Sequence, residues 1–552
     1  MSFDMRAAAA RWAVALTEIP SVTGTADEAG FAERLVSMLR DRPAFADRPQ
    51  DVWTLPAPGG LPGRACVFAL LRGRGPRTVV LTGHFDTVHV DDYGDLAHLA
   101  QRPDALKPAL AARLRAAVAA GTASEAERRA LADLEGPAFL PGRGLLDMKA
   151  GLAAGLAAIE AAAEVPDREG NLLFLAVPDE EVNSAGARAA AAALSEVADR
   201  LGIEIVAAVN LDALVDEGDG TEGRAVALGT IGKLLPSALV VGRAVHASNA
   251  FHGFGAGALA GALAAEVEWA PELLEGEGAD VAPGTVLLGM KDGKRGYDVT
   301  TPERVWMYWN VLTHGRGPVQ VMAVMEQLAR RVAHGLSERL ARRLAAVPRE
   351  TGRPEAVPTV QVLTYSSLHQ EVVARNPDAA GLLSGLAREV AANGFDLPEQ
   401  CRILTERTWE LSGRSGPAIV LGFASMPYLP TQLGADPNAR HLAQAVAEAA
   451  AEVGARHRTG IRLIRYFPGI SDMSYLGQAD EAAVPAIAAE TPVWGVGIPW
   501  PDGPALGGVP IVNAGPWGRD YHTPLERVHV DYAFAVLPEL VAEIARRALR
   551  RG

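Results

Sequence analysis

The stretch Thr78 to Val88, TVVLTGHFDTV, constrains this chain more than any other. It opens as a β-branched apolar run and closes on a His, one spacer and an Asp. Strand side chains alternate with period two, so a buried strand here delivers His84 and Asp86 to the same side at its C-terminal end. Open α/β sheets place their chemistry just outside the carboxyl ends of strands. An imidazole and a carboxylate held there together suit a metal ligand and a partner that orients something beside it. H-x-D alone is common, so its meaning depends on what other segments bring to it.

Further strand ends carry acids. NLLFLAVPDEE is a buried strand ending at Glu180 and Glu181, and IVAAVNLDA ends at Asp212. PGRGLLDMKAG puts Asp147 after a tight turn and before an Ala/Gly/Leu helix, Gly151 to about Ala163. His522 lies in YHTPLE, expected as a turn after the final strand. Strands alternate with helices, which predicts a doubly wound α/β catalytic domain with a mixed sheet. Between the first two motifs, residues 91–140 read as an insertion: acids at Asp91, Asp92 and Asp95, then one Ala/Arg/Leu helix to Leu134. After about Gly232 the texture changes to an α+β block, and from about Pro430 the first pattern resumes. The expected organisation is therefore 1–232 catalytic, 233–430 an inserted α+β lid or dimerisation domain, and 431–552 catalytic again.

The chain has 552 residues, too many for one core. A net charge of −14 argues against nucleic acid or an anionic membrane as partner, since either calls for a basic face. Two distant cysteines, Cys66 and Cys401, support no disulfide framework and suggest a reducing compartment. Cys66, in ACVFALL, is expected to be a buried small hydrophobe. The N-terminus has Asp4 and Glu18 where a signal peptide would be apolar, and no uncharged apolar run of about 18 residues occurs. The expected location is the cytoplasm.

Each candidate also has an ordinary explanation. Asp147 could cap the following helix, and Glu180 and Glu181 could be dipole-favoured acids in a first helical turn. Asp212 could be a turn residue and His522 a surface histidine. Their joint placement at strand ends of one domain is what sets those explanations aside. Two His and several carboxylates, without Cys, suit a catalytic divalent ion, and the count permits two ions bridged by a shared carboxylate. Of the adjacent Glu180 and Glu181, one binds metal comfortably and the other is free as a general base.

With GHFDTV, GRGLLDMKAG, PDEEVNSAG, NLD and YHTPLE in order, the chain resembles the metallopeptidase family that includes acetylornithine deacetylase, succinyl-diaminopimelate desuccinylase, aminoacylase and carboxypeptidase G. The resemblance implies two divalent ions, Zn2+ first, with Co2+ or Mn2+ as alternatives. It implies His84 and Asp212 on one ion, Glu181 and His522 on the other, and Asp147 bridging them beside a cis Asp147–Met148 peptide. It further implies Asp86 orienting His84, Glu180 as general base, and His246 of GRAVHAS as an oxyanion donor from the inserted domain. A homodimer through that domain accompanies this picture. Two features depart from the family pattern: the long loop 87–146 and the large inserted domain. The Arg that commonly grips a substrate carboxylate has no clear match; VWMYWNVLTHG offers Asn310, with Arg316 just beyond.

The resulting expectation is hydrolysis of an amide bond in an N-acyl amino acid or short peptide, with a link to arginine or ornithine metabolism. One rival is a dipeptidase or aminopeptidase that binds a free amine through Asp91, Asp92 or Asp95. Another is a non-catalytic metal-binding protein on the same fold.

Overall fold

The computed structural model describes every residue except 1–2, 60, 277–280, 295, 481, 501–506 and 551–552. In its first 230 residues the strands are β1 (Val52–Pro56), β2 (Ala65–Leu71), β3 (Arg74–His84), β4 (Phe139–Pro141), β5 (Glu169–Val177), β6 (Glu204–Asn210), β7 (Leu214–Val215) and β8 (Ala225–Ala227), followed by the short Gly229–Thr230. β3 extends through His84 itself, beyond the Thr78–Leu81 run that marks it in sequence. Val79, Val80 and Leu81 are wholly buried. Each such burial stabilises by about 1.5–3 kcal/mol, which favours a central place for this strand.

The main sheet runs β1-β2-β5-β3-β6, then Ile511–Asn513, β8 and Arg462–Ile464. β5, β3, β6 and Ile511–Asn513 are mutually parallel, while β1, β2 and β8 bring antiparallel pairings. This is the expected doubly wound mixed sheet. In register, His84 pairs with Val177 and Thr82 with Asn210, so the segments after β3, β5 and β6 emerge at one edge. A second, four-stranded sheet takes β4, Arg527–His529, Trp517–Arg519 and β7 in that order. It ties together the chain just before Asp147, the chain just after Asp212, and the hairpin holding His522. A strand thus follows His522, where the sequence suggested none.

The helix Ala150–Ala163 is almost entirely buried. A Cβ on Gly151 would stand 2.0 Å from the Leu211 carbonyl oxygen, so only glycine lets this helix approach the end of β6 so closely.

The insertion holds two helices, Pro103–Ala119 and Glu125–Glu135, instead of one. Gly121, at φ +71°, turns the chain after the first. Ser124 and Glu127 form a reciprocal capping box that starts the second. Tyr93, Leu106, Leu110, Leu114 and Leu134 give the insertion its own small core.

The chain divides into two compact units, one of 1–230, 431–479 and 501–552, the other of 231–430 and 480–500. The stretch 480–500 therefore leaves the block expected as 431–552. Its helix Ala483–Glu490 buries Ile487, and the Glu490 carboxylate accepts from the Ser366 backbone N–H at 2.9 Å. Within the second unit, Pro236–Val241 lies between Arg304–Thr313 and Ala418–Phe423, both antiparallel to it. Among the described residues, no helix is long and apolar enough to cross a membrane.

Candidate metal centre

Seven of the eight residues singled out in the sequence meet in the first unit. Asp147 is buried at their middle, and its two oxygens face two different histidines. Oδ1 lies 3.1 Å from His84 Nε2, and Oδ2 lies 3.1 Å from His522 Nε2. On the first side, Asp212 Oδ1 is 4.0 Å and Glu180 Oε2 3.9 Å from His84 Nε2. On the second, Glu181 Oε2 is 3.1 Å from His522 Nε2. Donors around 2.1 Å from a shared tetrahedral ion stand about 3.4 Å apart, close to the spacing of Asp147 from each histidine and of Glu181 from His522, while Asp212 stands further off. Among the described residues, His84, Asp147 and Glu181 bring ligand atoms within 4.8 Å of one another. The Asp147–Met148 peptide is cis.

Asp86 meets His84 through its backbone carbonyl rather than its carboxylate. Its carboxylate Oδ1 is 3.6 Å from His84 Nδ1, too long for a hydrogen bond. The Asp86 backbone carbonyl is 3.0 Å from that nitrogen and can only accept, so Nδ1 donates and Nε2 is left to face the site. The Asp86 carboxylate instead accepts from the backbone N–H groups of Glu180 (3.1 Å) and Glu181 (3.2 Å) and from the Thr23 hydroxyl (2.8 Å). One residue thus sets both the imidazole and the glutamate pair.

Four carboxylates packed against two imidazoles carry a strong bias toward positive charge. Burial, then the Asp147 charge, pushes Asp212 up to about 8. Burial, with the charges of Asp472, Asp212 and Glu181 in support, holds Glu180 well above the ordinary carboxylate range. Burial opposes charge on His522 too, but Asp147 and Glu181 outweigh it and raise the imidazole to about 10. Asp147 itself is held low: burial resists its ionisation, yet hydrogen bonds from His522 and His84 prevail. This donor set fits a pair of divalent cations, which would replace the protons that otherwise offset so many buried acids.

Beside these groups lies a cavity of about 310 Å³, lined by Asp147, Glu180, Glu181, Asp212 and His522 on one wall. Val215, Phe467, Ile470 and Tyr521 are among the residues forming the remainder, and among the described residues its lining contains no Lys or Arg.

His246 belongs to the second unit and is exposed, its Nδ1 2.7 Å from Ser248 Oγ. Asn310 and Arg316 also lie in that unit. Asp92 is engaged by Arg143 at 2.6 Å, Asp95 lies 3.6 Å from Arg113, and neither they nor Asp91 line the cavity. Sequence reasoning missed Glu526, which is buried and accepts from the Leu146 N–H (3.3 Å) and from Arg143 (2.8 Å), bracing the turn before Asp147. A charged residue inside the quoted YHTPLE motif was the available signal. Tyr521, next to His522 in sequence, is a further cavity wall that the sequence reasoning missed.

A family model described as peptidase family M20/M25/M40 matches residues 132–497, more than half of the chain. The Bacillus subtilis (strain 168) protein YqjN is 31% identical over 536 residues, covering 96% of this chain and 94% of its own. Protein RocB of the same organism is 26% identical over 540 residues, covering 96% and 92%. A tripeptidase from Staphylococcus aureus shares the fold at a TM-score of 0.50 and 15% identity, covering 99% of both chains. Fold, site and relatives together define a metal-dependent hydrolase of the peptidase or amidohydrolase kind. The chain belongs to peptidase family M20/M25/M40.

Proposed function

We propose that this protein hydrolyses the amide bond of an N-acyl amino acid or short peptide, using two divalent ions, Zn2+ first among them. His84 and Asp212 would hold one ion, Glu181 and His522 the other, with a carboxylate oxygen of Asp147 available to each. The observation that carries this is the division of Asp147, with one carboxylate oxygen toward each histidine. When bound, the ions supply Lewis acidity, polarising the scissile carbonyl and acidifying water.

The chain's own residues do the rest. Glu180 lines the cavity and lies 3.9 Å from His84, whereas Glu181 sits 3.1 Å from His522. With Glu181 engaged by His522, Glu180 is the member of the adjacent pair left to take a proton from the attacking water and deliver it to the leaving amine. The Asp86 carboxylate keeps it in place through the backbone. His246 as oxyanion donor, and the link to arginine or ornithine metabolism, rest on sequence resemblance. The acidic cavity wall, with no Lys or Arg in the lining among the described residues, also favours a second reading: a dipeptidase or aminopeptidase acting on a substrate with a free amine near the ions.

Turnover of N-acetyl-arginine compared with Arg-containing dipeptides separates the two. Elemental analysis is expected to find two ions per chain. A single ion persisting at saturating metal overturns the bridging assignment, and no cleavage across an acyl-amino-acid and dipeptide panel overturns the substrate class.

A further inference from the structure

The helical insertion 91–135 ends in an ion-pair network that reaches the turn bearing His522. Asp133, on the helix Glu125–Glu135, accepts from two arginines of the hairpin. Arg527 Nε is 2.8 Å and Arg519 Nη1 2.6 Å from its Oδ2. Arg527 is wholly buried and also donates to Asp520 Oδ2 at 2.6 Å, two residues before His522. One helical turn before Asp133, Arg129 reaches the same Asp520 at 3.3 Å and pairs with Glu217, whose Oε1 accepts the Asp520 N–H at 3.0 Å.

The turn needs such support. Asp520 and His522 both have positive φ, +53° and +59°, a conformation that non-glycine residues keep only when their surroundings impose it. The beginning of the insertion is tied to the site as well, because Asp92 holds Arg143, which holds Glu526 beside the Leu146–Asp147 turn.

We propose that the insertion is a brace that positions His522 relative to Asp147, with Asp133 as its central positioning residue. The metal consequence rests on the two-ion reading above; the mechanical one does not. Outer partners of metal ligands typically change metal retention by about 10–100-fold. Asp133→Asn keeps the size and removes the charge that both arginines share.

The test uses the full chain, with Arg115→Ala as a control in an exposed pair of the same insertion. In metal-free protein, hydrogen exchange in peptides covering 519–526 is expected to quicken about tenfold in Asp133→Asn, while 79–83 in β3 stays unchanged. In loaded protein, one of the ions is expected to be stripped at about tenfold lower chelator concentration. Excess metal is expected to restore kcat with KM unchanged, which a merely misfolded variant would not do. Arg129→Gln carries the same comparison if Asp133→Asn does not fold. Unchanged exchange and unchanged retention overturn the brace. A wild-type chain holding fewer than two ions overturns the two-ion reading, and exchange in the metal-free chain then still decides the brace.

Discussion

Asp147 owes its place to having two oxygens and two histidine neighbours, and Glu180 owes its proposed role to standing beside Glu181, the one of the pair that reaches His522. Glu180→Gln preserves shape and removes the base. We expect kcat to fall by about 10²–10⁴-fold with metal content unchanged, as turnover and elemental analysis of one preparation will show. Protonation gives a second expectation. In the metal-free chain His522 is raised to about 10, above the ordinary value near 6.5, so it is charged throughout the neutral range. An ion must displace that proton, so apparent metal affinity rises with pH up to about 10. The stabilising His522–Asp147 pair of the metal-free chain is full below about 6.5 and is lost as pH rises through about 10. Calorimetric titration of metal in buffers of different ionisation enthalpy measures the release, and heats independent of buffer would contradict it.

At the scale of elements, two contacts set how the strand ends meet. The helix Ala150–Ala163 packs on the end of β6 through Gly151. Gly151→Val forces that contact apart at a cost of about 1–3 kcal/mol or more, and is expected to lower both the melting temperature and metal occupancy. Asp86→Ala leaves the backbone N–H groups of Glu180 and Glu181 without their acceptor, while the Thr23 hydroxyl keeps the Thr87 carbonyl. A cost of about 1–3 kcal/mol for each buried group left unpaired predicts clear destabilisation in denaturant titration, together with lost activity. The strand ends themselves were readable because a buried parallel strand is a continuous apolar run, as in TVVL and NLLFLAV. The double helix of the insertion was not: its Ala/Arg/Leu composition continues across Gly121, and the break depends on a left-handed turn and a capping box.

For the whole molecule, binding of ions to the folded state alone adds stability by mass action, about 4 kcal/mol at a thousand times the dissociation constant. Chelation should therefore lower the melting temperature, and added Zn2+ should restore it; a scanning calorimetry trace insensitive to chelator would count against the assignment. The sequence by itself determined the candidate ligand types, their order and their nearness to strand ends, because burial pattern and residue chemistry are local properties. It also determined the doubly wound class, since periodicity reports on which faces are covered. Only the tertiary structure decided which oxygen of Asp147 faces which histidine, that the Asp86 carboxylate serves the glutamate backbone, and that 480–500 packs with the second unit. Those outcomes depend on ångström-scale meetings between segments as much as several hundred residues apart, and no local pattern encodes such distances.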